Sequence, residues 1–415
     1  MSRSNFDFES SRSTGFAIAL PAALACAVAW CLALAPPPAA AAKQSDPPLT
    51  LLAFNDLGMH CMNHNFGNLC ILPPYNNLHA QLILRGESPQ LIEENAVINY
   101  SFPGNTVSNT KTNFWNYTMQ LFGVNLPPNV GLTGNGMTGR LIRESNIDWV
   151  ATGIPITPLR DDGTLQPYDL ATVTASYNGM TAMTRTVVPV SWEISCNLCH
   201  GLKNTKIKGQ VLPLSGEEDK VELDILRKHD KMHKTNLMTQ RPVLCAKCHA
   251  DPALGTNGVP GVSNMSSAMH MSHATRVNKL TLANKCYACH PGVKTLCQRD
   301  IHIQRGVACT NCHGSMQAVG DPNRKPWVDE PKCGDCHHVS GHEYEEPGKL
   351  FKNSRGHGGI LCATCHNSPH AITPTTNPED NVQAMMHQGH AGVIDKCTVC
   401  HTRTPNDPFP HRRDD

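Results

Sequence analysis

Hydrophobic patterning divides the chain into three stretches. From residue 15 to residue 35 apolar side chains run almost without a break, with Arg3 and Arg12 ahead of them and Pro36, Pro37, Pro38 and Ala39 to Ala42 behind. A basic start, an apolar middle and a small-residue exit describe a Sec-type export signal over residues 1–42, cut near Ala42 and Lys43. The run approaches the roughly 20 residues that span a bilayer, so an uncleaved anchor is the competing reading. Between residues 43 and 190, short β-favouring runs at 49–54, 78–84, 96–102 and 171–177 are separated by Gly, Asn and Pro. This pattern predicts a β-rich N-terminal domain of sandwich or barrel type. From 191 to 415 regular periodicity fades. Only residues 217–236 repeat apolar positions at helical spacing, and the remainder predicts mostly irregular backbone with short helices and low secondary-structure content.

Composition sharpens this picture. Only 5% of the 415 residues are aromatic, a thin supply of large core-forming side chains, whereas there are 19 cysteines and 22 histidines. So many thiols imply an oxidising compartment or bound metal. The formal charge of +1 suggests neither nucleic acid nor an anionic membrane as a partner.

The cysteines are ordered. A five-residue pattern, Cys, two variable residues, Cys, His, occurs seven times: Cys196–Cys199–His200, Cys245–Cys248–His249, Cys286–Cys289–His290, Cys309–Cys312–His313, Cys333–Cys336–His337, Cys362–Cys365–His366 and Cys397–Cys400–His401. Two thiols three positions apart on a helical turn can bond both vinyl groups of one haem, and the adjacent imidazole then reaches the iron. Zinc ribbons and redox disulfides also use CxxC, but they do not require His at the next position. Histidine is about one residue in twenty here, so seven chance repeats of that last position have odds on the order of one in a billion. Seven covalently bound c-type haems are therefore expected, with the seven motif histidines as proximal ligands.

Fifteen histidines remain, eleven of them between the first motif and the last: His229, His233, His270, His273, His302, His338, His342, His357, His370, His387 and His390. His229 with His233, His270 with His273 and His387 with His390 lie one helical turn apart. The preferred distal ligands are His233, His270, His273, His302, His357, His370 and His390, with His229 and His387 as substitutes. Methionine is the other candidate ligand type, at Met269, Met271, Met385 and Met386.

These motifs, together with the segments 229–248, 269–273 and 354–370 and the end-piece 380–401, resemble the multihaem c-type cytochromes of respiratory bacteria. The resemblance covers about half of the chain. It implies a periplasmic or outer-surface electron carrier whose partners are other redox proteins, chiefly cytochromes, or an extracellular acceptor. Two further readings stay open: a multihaem reductase of a small inorganic substrate, which needs an iron with an open position, and a subunit of a conductive surface assembly. All seven motifs are regular, which favours a carrier over a catalyst. With seven haems in 225 residues, porphyrins would form much of the interior and lie too close for insulation. Residues 191–415 hold 26 Lys and Arg against 22 Asp and Glu, a net of +4 before any haem propionates are counted.

The stretch from Asp56 to Cys70 is unusual, holding Met59, His60, Cys61, Met62, His64 and Cys70. Three readings apply: a loop closed by a Cys61–Cys70 disulfide, a His60 or His64 that ligates a haem, or a separate metal site. Cys297 is left over to pair with Cys61 or Cys70 or to stay free, and His79 reads as strand packing.

Overall fold

The computed structural model describes residues 47–144, 148–201, 217–337, 344–408 and 411. The expected export signal, His338 and His342 lie outside these residues. Twelve described strands follow in order: β1 (Leu49–Phe54), β2 (His60–Cys61), β3 (Leu69–Cys70), β4 (Asn76–Leu84), β5 (Gln90–Ile92), β6 (Val97–Ser101), β7 (Thr138–Arg143), β8 (Trp149–Ile154), β9 (Leu170–Tyr177), β10 (Met180–Val187), β11 (Val190–Ser191) and β12 (Val243–Leu244). Eight of them form one antiparallel sheet, ordered β1-β4-β8-β7-β6-β9-β10, with β5 added along β4. β10 folds back beside β1, so the sheet nearly closes. The β-rich expectation holds, and four of its strands fall where the apolar runs placed them.

Local chemistry explains the strands. β6 alternates exposed and buried positions, with Ile98 and Tyr100 inward, as a half-solvated strand should. β1 is buried on both faces, because one side meets the sheet's own core and the other meets Leu361 and Ala363 of the C-terminal part. β9 and β10 join through Asn178 and Gly179, both at positive φ (48° and 78°), the requirement of a two-residue hairpin turn that follows strand twist. The core inside the sheet is aliphatic with a small aromatic nest, in which Phe114 packs edge-on against Phe66, Trp115 and Phe122.

The remainder is low in regular structure, as expected. Its longest helix, α2 (Glu217–His233), ends three residues short of the predicted stretch; the other described α-helices are α1 (Thr118–Phe122) in the β-rich part, then α3 (Met265–His273), α4 (Ile301–Gln304), α5 (Cys309–His313), α6 (Met316–Val319), α7 (Cys362–His366) and α8 (Val382–Gln388). No described helix is long and apolar enough to cross a membrane.

The described residues from Pro47 onward pack as one unit, and polar contacts join the two parts. Buried Gln81 accepts from the Leu361 amide and the Thr364 hydroxyl through Oε1. Gln383 Oε1 accepts from the Ala53 amide and the Thr184 hydroxyl. The Leu296 amide donates to the Tyr168 hydroxyl. The Arg85 guanidinium donates to the Thr398 carbonyl, and the Thr402 amide donates to that of Gly86. The sheet is thus a platform for the irregular part.

Candidate functional site

All seven motifs adopt a helical turn. Two are the short helices α5 and α7, and the other five are 3-10 turns. In those five the histidine amide donates to the first cysteine's carbonyl at 2.8–3.1 Å. The local i to i−4 bond sets both thiols and the imidazole on one turn, as the spacing alone predicts.

The imidazoles pair across the structure. Each motif histidine stands opposite one non-motif histidine, and the seven ring-centroid separations fall in a narrow band. His200 faces His273 at 6.2 Å, His249 faces His229 at 6.3 Å and His290 faces His270 at 6.0 Å. His313 faces His370 at 5.9 Å, His337 faces His302 at 6.1 Å, His366 faces His411 at 5.9 Å and His401 faces His357 at 5.9 Å. Two metal–imidazole bonds of about 2 Å plus roughly 1 Å to each ring centre give about 6 Å. Edge-on aromatic pairs such as Phe114 and Phe122, at 5.9 Å, reach the same range, so it is the pairing of every motif histidine with one other histidine that sets these rings apart. His229 and His233, merely neighbours on α2, are 4.8 Å apart.

Second nitrogens are also arranged. Nδ1 of His249, His270, His273 and His401 lies 2.7–3.0 Å from a backbone carbonyl, of Ser263, Ser266, Met269 and Glu87 respectively. His229 Nδ1 lies 2.9 Å from the Thr235 hydroxyl, His302 Nδ1 3.3 Å from Asp300, and His200 Nδ1 3.4 Å from Asp224. A carbonyl or carboxylate there fixes the tautomer with the proton on Nδ1 and leaves Nε2 for a metal. Burial pushes His290, His366 and His370 down to about 4, so these rings are neutral, the form that ligates. Burial pushes the Cys196, Cys245 and Cys365 thiols up to about 12, so they are protonated in the free chain.

The partners interlock the motifs. α3 supplies His270 to the third motif and His273 to the first. α2 supplies His229 to the second, while its Asp224 sits beside His200 of the first. The sixth motif is straddled by His357 and His370, which serve the seventh and the fourth. Neighbouring thiols define a spatial order. Cys196 and Cys199 lie near Cys289, Cys286 hydrogen-bonds Cys309, and Cys312 lies near Cys336. Cys333 lies near Cys362, and Cys365 near Cys400. Glu222 lies near both Cys196 and Cys245. The motifs therefore run second, first, third, fourth, fifth, sixth, seventh. One cavity of about 1910 Å³ is lined by residues of the first and the third to seventh motifs, with their six paired histidines. A site for a single small ligand holds about 300–1,000 Å³.

Five of the preferred partner histidines (His270, His273, His302, His357 and His370) stand opposite a motif histidine. Two do not. His233 lies one turn beyond His229, which takes the place opposite His249. His390 instead pairs with Asp395 at 3.3 Å, and His387 hydrogen-bonds Thr184 of β10. His411, ten residues past the last motif, falls outside the stretch between the motifs to which the sequence reading is confined. A search downstream would have found it, since His370 also follows a motif.

The stretch from Asp56 to Cys70 is a bracket between the two parts. β2 pairs in parallel with β11, just ahead of the first motif, and β3 pairs in parallel with β12, just ahead of the second. Cys61 and Cys70 are drawn into these separate ladders and are free thiols, so the expected disulfide is not formed; Cys297 is also free. His60 hydrogen-bonds the Pro73 carbonyl at 2.8 Å and His64 bonds Glu218 at 3.1 Å, so neither faces a motif imidazole. His79 is more than packing: its ring stacks on Phe54, with Asp148 at 2.6 Å and Asp56 at 3.5 Å.

Among the described residues no group of three or more His, Cys, Asp or Glu side chains converges as a metal cage. Paired imidazoles around a macrocycle need none, and the ring spacing and common cavity fit haem. No protein-family model, curated protein or solved structure matches the chain.

Proposed function

We propose that this chain is a seven-haem c-type cytochrome that carries electrons between periplasmic or cell-surface redox partners. The observation that supports it most is the set of seven imidazole pairs, each joining one CxxCH histidine to one other histidine at the separation a shared metal requires. On this reading the motif cysteines hold the haems by thioether bonds and His200, His249, His290, His313, His337, His366 and His401 are proximal ligands. His273, His229, His270, His370, His302, His411 and His357 are, in the same order, their distal partners. When bound, each haem iron supplies a one-electron couple.

The chain's own residues hold and tune. Backbone carbonyls at Nδ1 orient the rings, and Asp300 places negative charge beside His302, which favours the oxidised metal, whereas at His200 the charge of Asp224 is offset by Lys228. Pairing at every motif favours a carrier over a reductase, which would keep one coordination position open. Whole-protein mass and haem quantitation on exported material test the proposal. Seven haem masses added to the mature chain, with only low-spin ferric signals in EPR, are expected. Colourless protein, or protein loaded with zinc, would overturn it.

A further inference from the structure

We propose that the cationic surface around the second motif, centred on Arg227, Lys231, Lys234 and Lys247, is the docking site for an acidic electron-transfer protein. The inference rests on the proposed function and adds where a partner binds and what its chemistry is.

Charge is concentrated there. Residues 222–251 hold six Lys and Arg and four acidic residues, a net of +2; Glu222 and Asp251 are buried, which leaves two acids, Asp224 and Asp230, outside. Both acids are engaged internally. Asp224 binds Lys228 and the Gly201 amide, and Asp230 accepts from the Thr235 hydroxyl and the Leu237 and Met238 amides. Arg227, Lys231, Lys234 and Lys247 are exposed. No ion pair joins any of the four to a carboxylate among the described residues.

The direction of these side chains matters, because basic residues also serve as haem-propionate partners. His229 points towards His249. Arg227 and Lys231 lie two positions before and after it, about 200° around the helix, and so emerge on the far side, facing solvent. They are not placed to neutralise a group held between His229 and His249.

Location supplies the second observation. The second motif stands at one end of the spatial series, next to the first alone, and its cysteines and histidine do not line the cavity that the other six motifs share. A terminal motif beneath a cationic rim is where a partner's redox centre can come near. Complementary charge steers such encounters and makes them salt-dependent.

The test uses the haem-loaded protein and an oxidised acidic ferredoxin as probe. With both proteins oxidised no electron transfers, and calorimetry reads binding alone. Binding that weakens steadily with added salt is expected. The triple variant Arg227→Glu, Lys231→Glu, Lys234→Glu should bind about ten-fold more weakly at low salt and lose most of the salt dependence. Equal reversal at Lys279, Lys294 and Lys325, exposed residues outside the shared cavity, should change the affinity by less than about two-fold. Wild-type affinity in the first variant would overturn the proposal, as would equal losses in both variants. So would binding of anionic phospholipid vesicles through these residues without binding of the ferredoxin. Haem content, measured separately by mass, shows whether any failure belongs to the functional reading instead.

Discussion

Arg299 offers a sharp test of how the irregular part is held in register. Its side chain and that of Asp380 are 1% and 0% exposed, and the guanidinium grips the carboxylate with two bonds, Nε to Oδ2 at 2.5 Å and Nη2 to Oδ1 at 2.8 Å. Nη1 donates to the Cys297 carbonyl at 3.2 Å, and the cation lies 5.0 Å from the Tyr168 ring centre. Although burial alone would lower the Arg299 pKa, Asp380 raises it overall, so the cation is fixed. Arg299→Met deletes the cation but leaves Asp380 buried, with only Thr375 and Asn377 donating to its side chain. Stranding one partner of such a pair costs about 3–5 kcal/mol, and the lost ring contact adds about 0.5–2 kcal/mol. The double variant Arg299→Met, Asp380→Leu removes the stranded charge and is expected to recover most of that loss. Guanidinium-chloride unfolding followed by far-ultraviolet circular dichroism reads both. Because the Arg299 amide donates to the His370 carbonyl at 2.9 Å, the single variant should also disturb the ring that faces His313. A single variant within about 1 kcal/mol of wild type, or a double variant no better than the single, would refute the pairing's role.

The ring pairs discriminate between adjacent histidines: His229→Ala and His411→Ala should each convert one low-spin ferric signal to high spin in EPR, and His233→Ala and His390→Ala should convert none. Glu222 is pushed up to about 8 by burial and by the charge of Glu218. A carboxyl raised on folding favours the native state at low pH, so its contribution is full below about 4.5 and is lost as pH rises through about 8. Glu222→Gln should flatten the denaturation midpoint across that window, and an unchanged pH profile would refute this. Gly320 abuts α3, where an added Cβ would stand 2.9 Å from the Met271 amide nitrogen and 3.0 Å from His270 Cβ. Gly320→Ala should therefore lower the thermal midpoint by several degrees and perturb the signals of the first and third motifs, whereas Gly134→Ala in the β-rich part should leave those signals untouched.

The two halves of the site differ in legibility for a physical reason. A CxxCH turn is local: one i to i−4 bond organises five residues, so the sequence displays the motif and the structure repeats it. The choice of opposing imidazole is tertiary. His229 and His233 share a helix and differ by a turn, and only the approach of the second motif, held by β12 against β3, decides that His229 meets His249. His390 sits a few residues ahead of its nearest motif, yet the seventh motif is met by His357, which lies ahead of the sixth. Proximity along the chain points to His390, whereas the ring opposite His401 is that of His357, because the chain crosses between motifs before each pair closes.

The same crossing explains why the β-rich part is needed. A segment with few aromatic side chains and little regular structure has few contacts of its own to hold fourteen imidazoles in pairs. The β-rich part supplies them through side chains whose partners are backbone groups of the motif segments: buried Gln81 at the sixth, half-buried Arg85 at the seventh and Tyr168 between the third and fourth. Gln81 looks unremarkable in sequence, since Gln in a strand is usually solvated. Its burial, at 0% exposure, marks it as an anchor. A buried acceptor left without its donors is costly, so the platform and the motif segments specify each other's position. Separating them at residue 190 would expose both sets of polar groups and release the registers that bring each pair of rings together.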